Sequence, residues 1–168
     1  MSQLAASLLH CEVMLQLREY RAGDFERLYA LDQACFDPQL AYSRAELRFY
    51  IRHPTTFTLL IEDAGSSGDG AQAGVAGFLV AHRQRGGVGH IITIDVEASA
   101  RRHGVGTMLM NAAEQRLLEQ RCSAVSLETP ADNVPAISFY LRRGYSIAHT
   151  VRGYYCNGLD ALVMRKQL

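Results

Sequence analysis

A chain of 168 residues, 48% of them hydrophobic, is long enough to close one domain around a sizeable core. Its 17 basic and 17 acidic side chains cancel, so overall charge draws it neither to nucleic acid nor to an anionic membrane, and neither is an expected partner. No apolar run reaches membrane-spanning length, and residues 1–14 lack a basic stretch ahead of an apolar one, which argues against an export signal.

Residues 1–13 carry no convincing pattern and are expected to be a disordered extension, with a single α/β domain over 14–168. Leu15 to Tyr20 alternates like a strand. Ala22 to Cys35 reads as a helix, with Phe25, Leu28, Tyr29 and Leu31 on one face, stopped by Phe36-Asp37-Pro38. Ser43 followed by Glu46 is a capping box for a second helix ending near Arg52. Phe57 to Glu62, Val75 to His82 and Gly89 to Glu97 are strands, and the Gly-, Ser- and Asp-rich stretch from Asp63 to Gly74 is a loop. Val105, Met108, Leu109, Ala112 and Ala113 fall at helical spacing. Ala124 to Thr129 is a strand, and Val134 to Arg142 is a helix closed by Gly144. Tyr145 to Val151 and Ala161 to Arg165 are final strands around a turn at Asn157-Gly158. Cys11, Cys35, Cys122 and Cys156 form no C-x-x-C pair and have no histidine at metal spacing, so free thiols in a reducing cytoplasm and no metal are expected.

Two stretches carry chemistry. From Val96 to Thr107 a strand runs through a basic, Gly-containing turn into a helix start, the arrangement that aims backbone N–H groups and a helix dipole at an anion. Gly104 and Gly106 let a ligand approach the backbone, while Arg101, Arg102 and His103 can neutralise phosphate charge. The plainer alternative is an ordinary turn with solvated arginines. The pattern lacks the Gly-Lys-Ser/Thr of a Walker loop and the third glycine of a dinucleotide fingerprint. In the second stretch, Glu128 is a carboxylate inside an apolar strand, sharing a face with Ser126 and opposite Val125, Leu127 and Thr129. Asn133, Ala136, Ile137 and Tyr140 form one stripe of the following helix. A solvated strand face and a core tyrosine are the bland alternatives here.

Arg101-x-x-Gly104-x-Gly106 resembles the acetyl-CoA pyrophosphate loop of the GNAT acetyltransferase superfamily. Leu127, Glu128, Asn133, Ala136, Tyr140, Gly144 and Tyr145 fill its second motif, L-E-x-x-x-x-N-x-x-A-x-x-x-Y-x-x-x-G-[FY], about 20 residues further on. Within the superfamily the chain resembles the protein N-terminal α-amino acetyltransferases, including the ribosomal-protein alanine type. The tail from Gly153 to Met164 is similar to their Y-Y-x-x-x-x-D-A-x-x-M ending, and Phe36-Asp37-Pro38 through Tyr42-Ser43 is loosely similar to their substrate loop.

The resemblance implies a mixed central sheet of about seven strands flanked by about four helices, its central strands splayed to hold acetyl-CoA. It implies direct transfer of acetyl to a primary amine, most readily a protein N-terminus, with a small-molecule amine (polyamine, amino acid or antibiotic) as the alternative acceptor. A non-catalytic acyl-CoA sensor is a further class, against which an intact Glu128 and Tyr140 argue. Pantetheine would pair with the backbone of Ile94, Asp95 and Val96, the pyrophosphate would sit on Arg101, Arg102, His103, Gly104, Val105, Gly106 and Thr107, and Asn133 and Tyr140 would meet the pantetheine arm. Glu128 would be the base and Tyr140 the proton donor to the thiolate; Phe36, Pro38, Tyr154 and Tyr155 would line the acceptor groove. Two tyrosines packing across a hairpin are the plainer reading of Tyr154 and Tyr155. His90 rivals Glu128 because strand alternation puts it with Ile92, Ile94 and Val96, whereas Asp95 alternates to the other face. A monomer or homodimer is expected.

Overall fold

Long apolar runs in the middle of the chain become strands covered on both faces, and they organise everything else. A computed structural model describes residues 14–63 and 74–168; the expected extension over 1–13 and the body of the expected loop, 64–73, lie outside the described residues. The elements in chain order are β1 (Leu15–Glu19), α1 (Phe25–Cys35), α2 (Arg44–Arg52), β2 (Thr56–Asp63), β3 (Gly74–Arg83), β4 (Val88–Val96), α3 (Val105–Glu119), β5 (Ala124–Pro130), α4 (Val134–Arg142), β6 (Ser146–Val151) and β7 (Ala161–Gln167). The seven strands form one sheet in the order β1-β2-β3-β4-β5-β7-β6, antiparallel except where β4 meets β5. This is the mixed sheet expected from the resemblance.

One face of the sheet carries α1 and α2, which pack Phe25, Leu28, Leu47 and Ile51 against Leu60, Phe78 and Val80. The other carries α3 and α4, which pack Leu109, Met110, Leu117 and Tyr140 against Leu79, Ala81, Ile91, Val125 and Leu127. Each fully buried Leu or Phe of this kind contributes about 1.5–3 kcal/mol. Gly77 lets α3 lie close to β3, since a Cβ there would stand 2.9 Å from Val105 Cγ1 and 2.8 Å from the Asp95 carbonyl oxygen.

Local signals are realised as read. Ser43 Oγ accepts from the Glu46 N–H and the Glu46 carboxylate accepts from the Ser43 N–H, closing the capping box of α2. Gly144 follows α4 with φ +86°. Two boundaries differ. The first helix begins with a 3-10 turn, Ala22–Asp24, because Asp24 turns its carboxylate back onto the Arg21 N–H and the Arg18 guanidinium. Tyr145 belongs to the core and not to β6; its hydroxyl donates to Glu114, which also receives Arg143 and Lys166 and so ties α3 to α4 and β7.

A larger difference lies in β4. Val80 pairs with Thr93 but Ala81 pairs with Ile91, so Ile92 is an extra, bulged residue. A bulge bends its strand and reverses the alternation beyond it. His90, opposite His82, therefore shares a face with Thr93 and Asp95, while Ile94 and Val96 sit with Ile91 in the α3/α4 core. The expectation that His90 aligns with Ile94 and Val96 and opposes Asp95 is overturned, and nothing in the local sequence marks Ile92 as bulged.

Candidate functional site

The bulge opens the site. β4 pairs with β5 only from Val88 to His90, after which β4 continues along β3 while β5 continues along β7. From Ile91 to Val96 one edge of β4 faces a wedge without a β5 partner. Backbone groups on such an edge need another partner. Two carbonyls here have side-chain donors: the Tyr42 hydroxyl donates to Ile92 O at 3.3 Å, and Val96 O receives Cys35 Sγ at 3.4 Å and Arg101 Nε at 3.1 Å.

At the outer end of the wedge the chain turns into α3. Arg102 and Gly104 both take positive φ, +63° and +85°, and Gly104 is the N-cap residue of α3. The first turn of a helix has no intrahelical acceptor for its N–H groups, so Val105, Gly106 and Thr107 present theirs outward. N–H groups so arranged can cradle an anion. Gly106 lies against Phe139, 3.4 Å from where a Cβ would stand. Arg102 and His103 are exposed beside the cradle, but Arg101 is engaged elsewhere, its guanidinium folded onto the Val96 carbonyl and Cys35.

On β5 and α4 the second constellation flanks the same wedge. Asn133 caps α4 through Oδ1, which accepts from the Ala136 N–H, leaving its amide N–H groups as donors. The Tyr140 ring is buried between Phe139 and Tyr145. Burial, with the charge of Asp95 as a smaller contribution, pushes its phenol well above the usual tyrosine range, so the proton stays on at neutral pH. Asp95 itself is 1% exposed, receives the Thr93 hydroxyl, and is driven upward by burial and by Asp32; its side chain points into the α1 side of the core. Only the backbone of Asp95 is placed to meet a ligand in the wedge.

Glu128 meets His90 on the α1/α2 face. His90 Nε2 stands 2.6 Å from Glu128 Oε2, and His90 Nδ1 stands 3.3 Å from His82 Nε2. His82 titrates below the usual histidine range, chiefly through burial and next through the neighbouring His90. The three side chains line a cavity of about 350 Å3 with Tyr42, Phe49, Tyr50, His53, Tyr154 and Tyr155. Tyr154 and Tyr155 meet edge to face in the β6–β7 connection, 5.0 Å apart, and are not cross-strand neighbours. Phe36 caps α1 and Pro38 is exposed in the next turn; neither lines the cavity, because the chain runs on to Tyr42 before it enters. His82, Phe49, Tyr50 and His53 were not singled out by the sequence, since they gather from β3 and α2 without local spacing. The capping box placed α2, and its Phe49-Tyr50 pair was the one available signal.

Among the described residues no group of His, Cys, Asp and Glu has a metal-binding arrangement, and no helix is long and apolar enough to cross a membrane. A profile of the Acetyltransferase (GNAT) family matches residues 25–145. An N-alpha-acetyltransferase of Sulfurisphaera tokodaii is 36% identical over 81 residues, spanning 48% of each chain, so the match covers about half the length of that relative. An uncharacterized N-acetyltransferase of Methanocaldococcus jannaschii is 28% identical over 90% of both chains. The crystal structure of Ard1 from Thermoplasma volcanium is similar with a TM-score of 0.81 and 27% identity, over 93% of this chain and 99% of that one.

Proposed function

We propose that this chain, which belongs to the acetyltransferase (GNAT) family, transfers the acetyl group of acetyl-CoA directly to the N-terminal α-amine of a protein or peptide. One observation carries the acceptor class: the Glu128–His90 pair opens onto an aromatic cavity in which Glu128 is the one carboxylate among the lining residues. A polyamine or aminoglycoside brings several cations and calls for several carboxylates; a peptide N-terminus brings one. The relative named N-alpha-acetyltransferase supports the same reading.

In this reading acetyl-CoA occupies the wedge. Its pyrophosphate lies on the loop from Arg102 to Thr107, its pantetheine arm pairs with the β4 edge at Ile94 to Val96, and Asn133 donates to it. Arg101 holds the Val96 carbonyl and so fixes the edge from behind. An α-amine of pKa about 8 costs about 1.4 kcal/mol to deprotonate at pH 7, against about 4.6 kcal/mol for lysine. A carboxylate, acting directly or through one water, therefore suffices. Glu128 takes the proton, the amine attacks the thioester carbonyl, and Tyr140 protonates the departing thiolate. No enzyme-bound acyl group is needed, and Cys35 is held as a hydrogen-bond donor to Val96.

The test is an acceptor screen with purified protein, acetyl-CoA, peptides of varied first residue, polyamines and aminoglycosides. Turnover of free-N-terminus peptides, abolished when the same peptides are N-terminally blocked, is expected. Turnover of small amines alone would overturn the acceptor class.

A further inference from the structure

The two candidate bases compete for the same role, and their hydrogen bonds separate them. Both ring nitrogens of His90 are engaged, Nε2 by Glu128 and Nδ1 by His82. The geometry points to His82 as a positioning residue that occupies the Nδ1 lone pair of His90, keeps that nitrogen unprotonated and thereby leaves the basic lone pair of the pair on Glu128. This rests on the acetyl-transfer reading above.

An ionised carboxylate only accepts, so His90 Nε2 carries the proton that lies between them. Neutral His90 then has its lone pair on Nδ1, and His82 Nε2–H donates to it. The sheet enforces this row, for Thr56, His82, His90 and Ser126 are successive cross-strand partners on β2 to β5, with Glu128 two residues beyond on the same face. The burial that lowers the proton affinity of His82 keeps it a neutral donor, and the charge of His53 at the end of α2 acts in the same direction. His90 has no nitrogen left for the acceptor. Glu128 has Oε1, since His90 occupies Oε2.

The reaction balances on this assignment. The ammonium acceptor loses two protons as the C–N bond forms and the C–S bond breaks, its electron pair leaving with sulfur. One proton reaches the thiolate by way of Tyr140. The other passes to Glu128 and leaves with the product. His90 and His82 hold the carboxylate through both steps without changing protonation.

Two measurements test this. Nitrogen-15 spectra of the His90 ring, which need no acceptor, are expected to give a protonated Nε2 and an unprotonated Nδ1 in the wild type, and in His82→Phe an Nδ1 that takes up a proton at higher pH than in the wild type. In kinetics with whichever amine the wild type acetylates, His82→Phe is expected to lose about tenfold in kcat, the worth of one hydrogen bond. His82→Gln, whose amide N–H can donate to Nδ1, is expected to stay within about threefold, and the KM for acetyl-CoA should not change in either. Thermal melting establishes that both variants fold. The same pH dependence of the His90 spectrum in wild type and His82→Phe, a doubly protonated ring in the wild type at neutral pH, or equal losses in both variants would each overturn the assignment. A wild type that acetylates only small amines would overturn the peptide acceptor and leave the test of His82 intact.

Discussion

The two sides of the sheet are built on different principles. On the α3/α4 side the wedge proposed for acetyl-CoA is made of backbone: a strand edge without a β5 partner, a turn with two positive φ values and a helix N-terminus. On the α1/α2 side the cavity is made of side chains that converge from the segment after α1, from α2, from β3, β4 and β5, and from the β6–β7 connection. Backbone sites recognise what every substrate shares, in the proposed function a pyrophosphate and a pantetheine arm. Side-chain cavities recognise what differs between acceptors. Damage on the first side should therefore appear in acetyl-CoA affinity, and damage on the second in turnover and acceptor KM.

The largest expected separation comes from Glu128→Gln, which keeps shape but cannot take a proton. Turnover of a peptide α-amine should fall by about 10² to 10⁴, as is typical of a lost general base, with acetyl-CoA affinity by calorimetry unchanged. The loss should be greatest near neutral pH and shrink as pH approaches the pKa of the amine, about 8, where solution supplies free amine. A loss of equal size at every pH would mean that Glu128 orients the acceptor without accepting its proton. Tyr140→Phe comes next, with a fall of about 10² in kcat, because the phenol that burial keeps protonated is removed while the ring packing stays. Unchanged kcat under conditions where chemistry limits turnover would reduce Tyr140 to a core side chain.

On the cofactor side, Gly104→Asp and Gly104→Asn form the sharper pair. Asn and Asp both tolerate the left-handed conformation at φ +85° better than other non-glycine residues, so the two variants should melt alike. They differ by one negative charge beside the cradle. Acetyl-CoA should bind about tenfold more weakly to the Gly104→Asp variant than to the Gly104→Asn variant, a difference of about 1.4 kcal/mol that shrinks with added salt. Equal affinities would remove the phosphate from this loop.

The same contrast explains how much was legible beforehand. The α3/α4 side could be read because strained backbone demands particular residues: glycine at Gly104 and Gly144 and an amide cap at Asn133. On the opposite face, alternation set Glu128 apart from Leu127. The strands could be read because their burial is continuous or alternating. The acceptor side could not, since His82 and His90 are neighbours only through strand pairing, and Phe49, Tyr50 and His53 reach the cavity only once α2 has packed. The bulge at Ile92 hid the most. It lies in a run of isoleucines whose alternation looks unbroken, and it reassigned the faces of His90 and Asp95 together.

The smallest expected effect joins the two sides. Tyr42 stands in the acceptor cavity, yet its hydroxyl donates to the Ile92 carbonyl at the bulge, and its backbone N–H is held by the buried carboxylate of Asp32. In the proposed function the ring is a wall for the acceptor, and the hydroxyl steadies the point where β4 leaves β5. Tyr42→Phe removes the second role and keeps the first. One such hydrogen bond is worth about 0.5–1.5 kcal/mol, so the melting temperature should fall by a few degrees, with acceptor KM near wild type. If the hydroxyl also sets the width of the wedge, acetyl-CoA affinity should fall by severalfold although Tyr42 lies on the acceptor side. A change in acceptor KM with acetyl-CoA affinity intact would instead confine Tyr42 to the cavity and leave the bulge to be held by the strands alone.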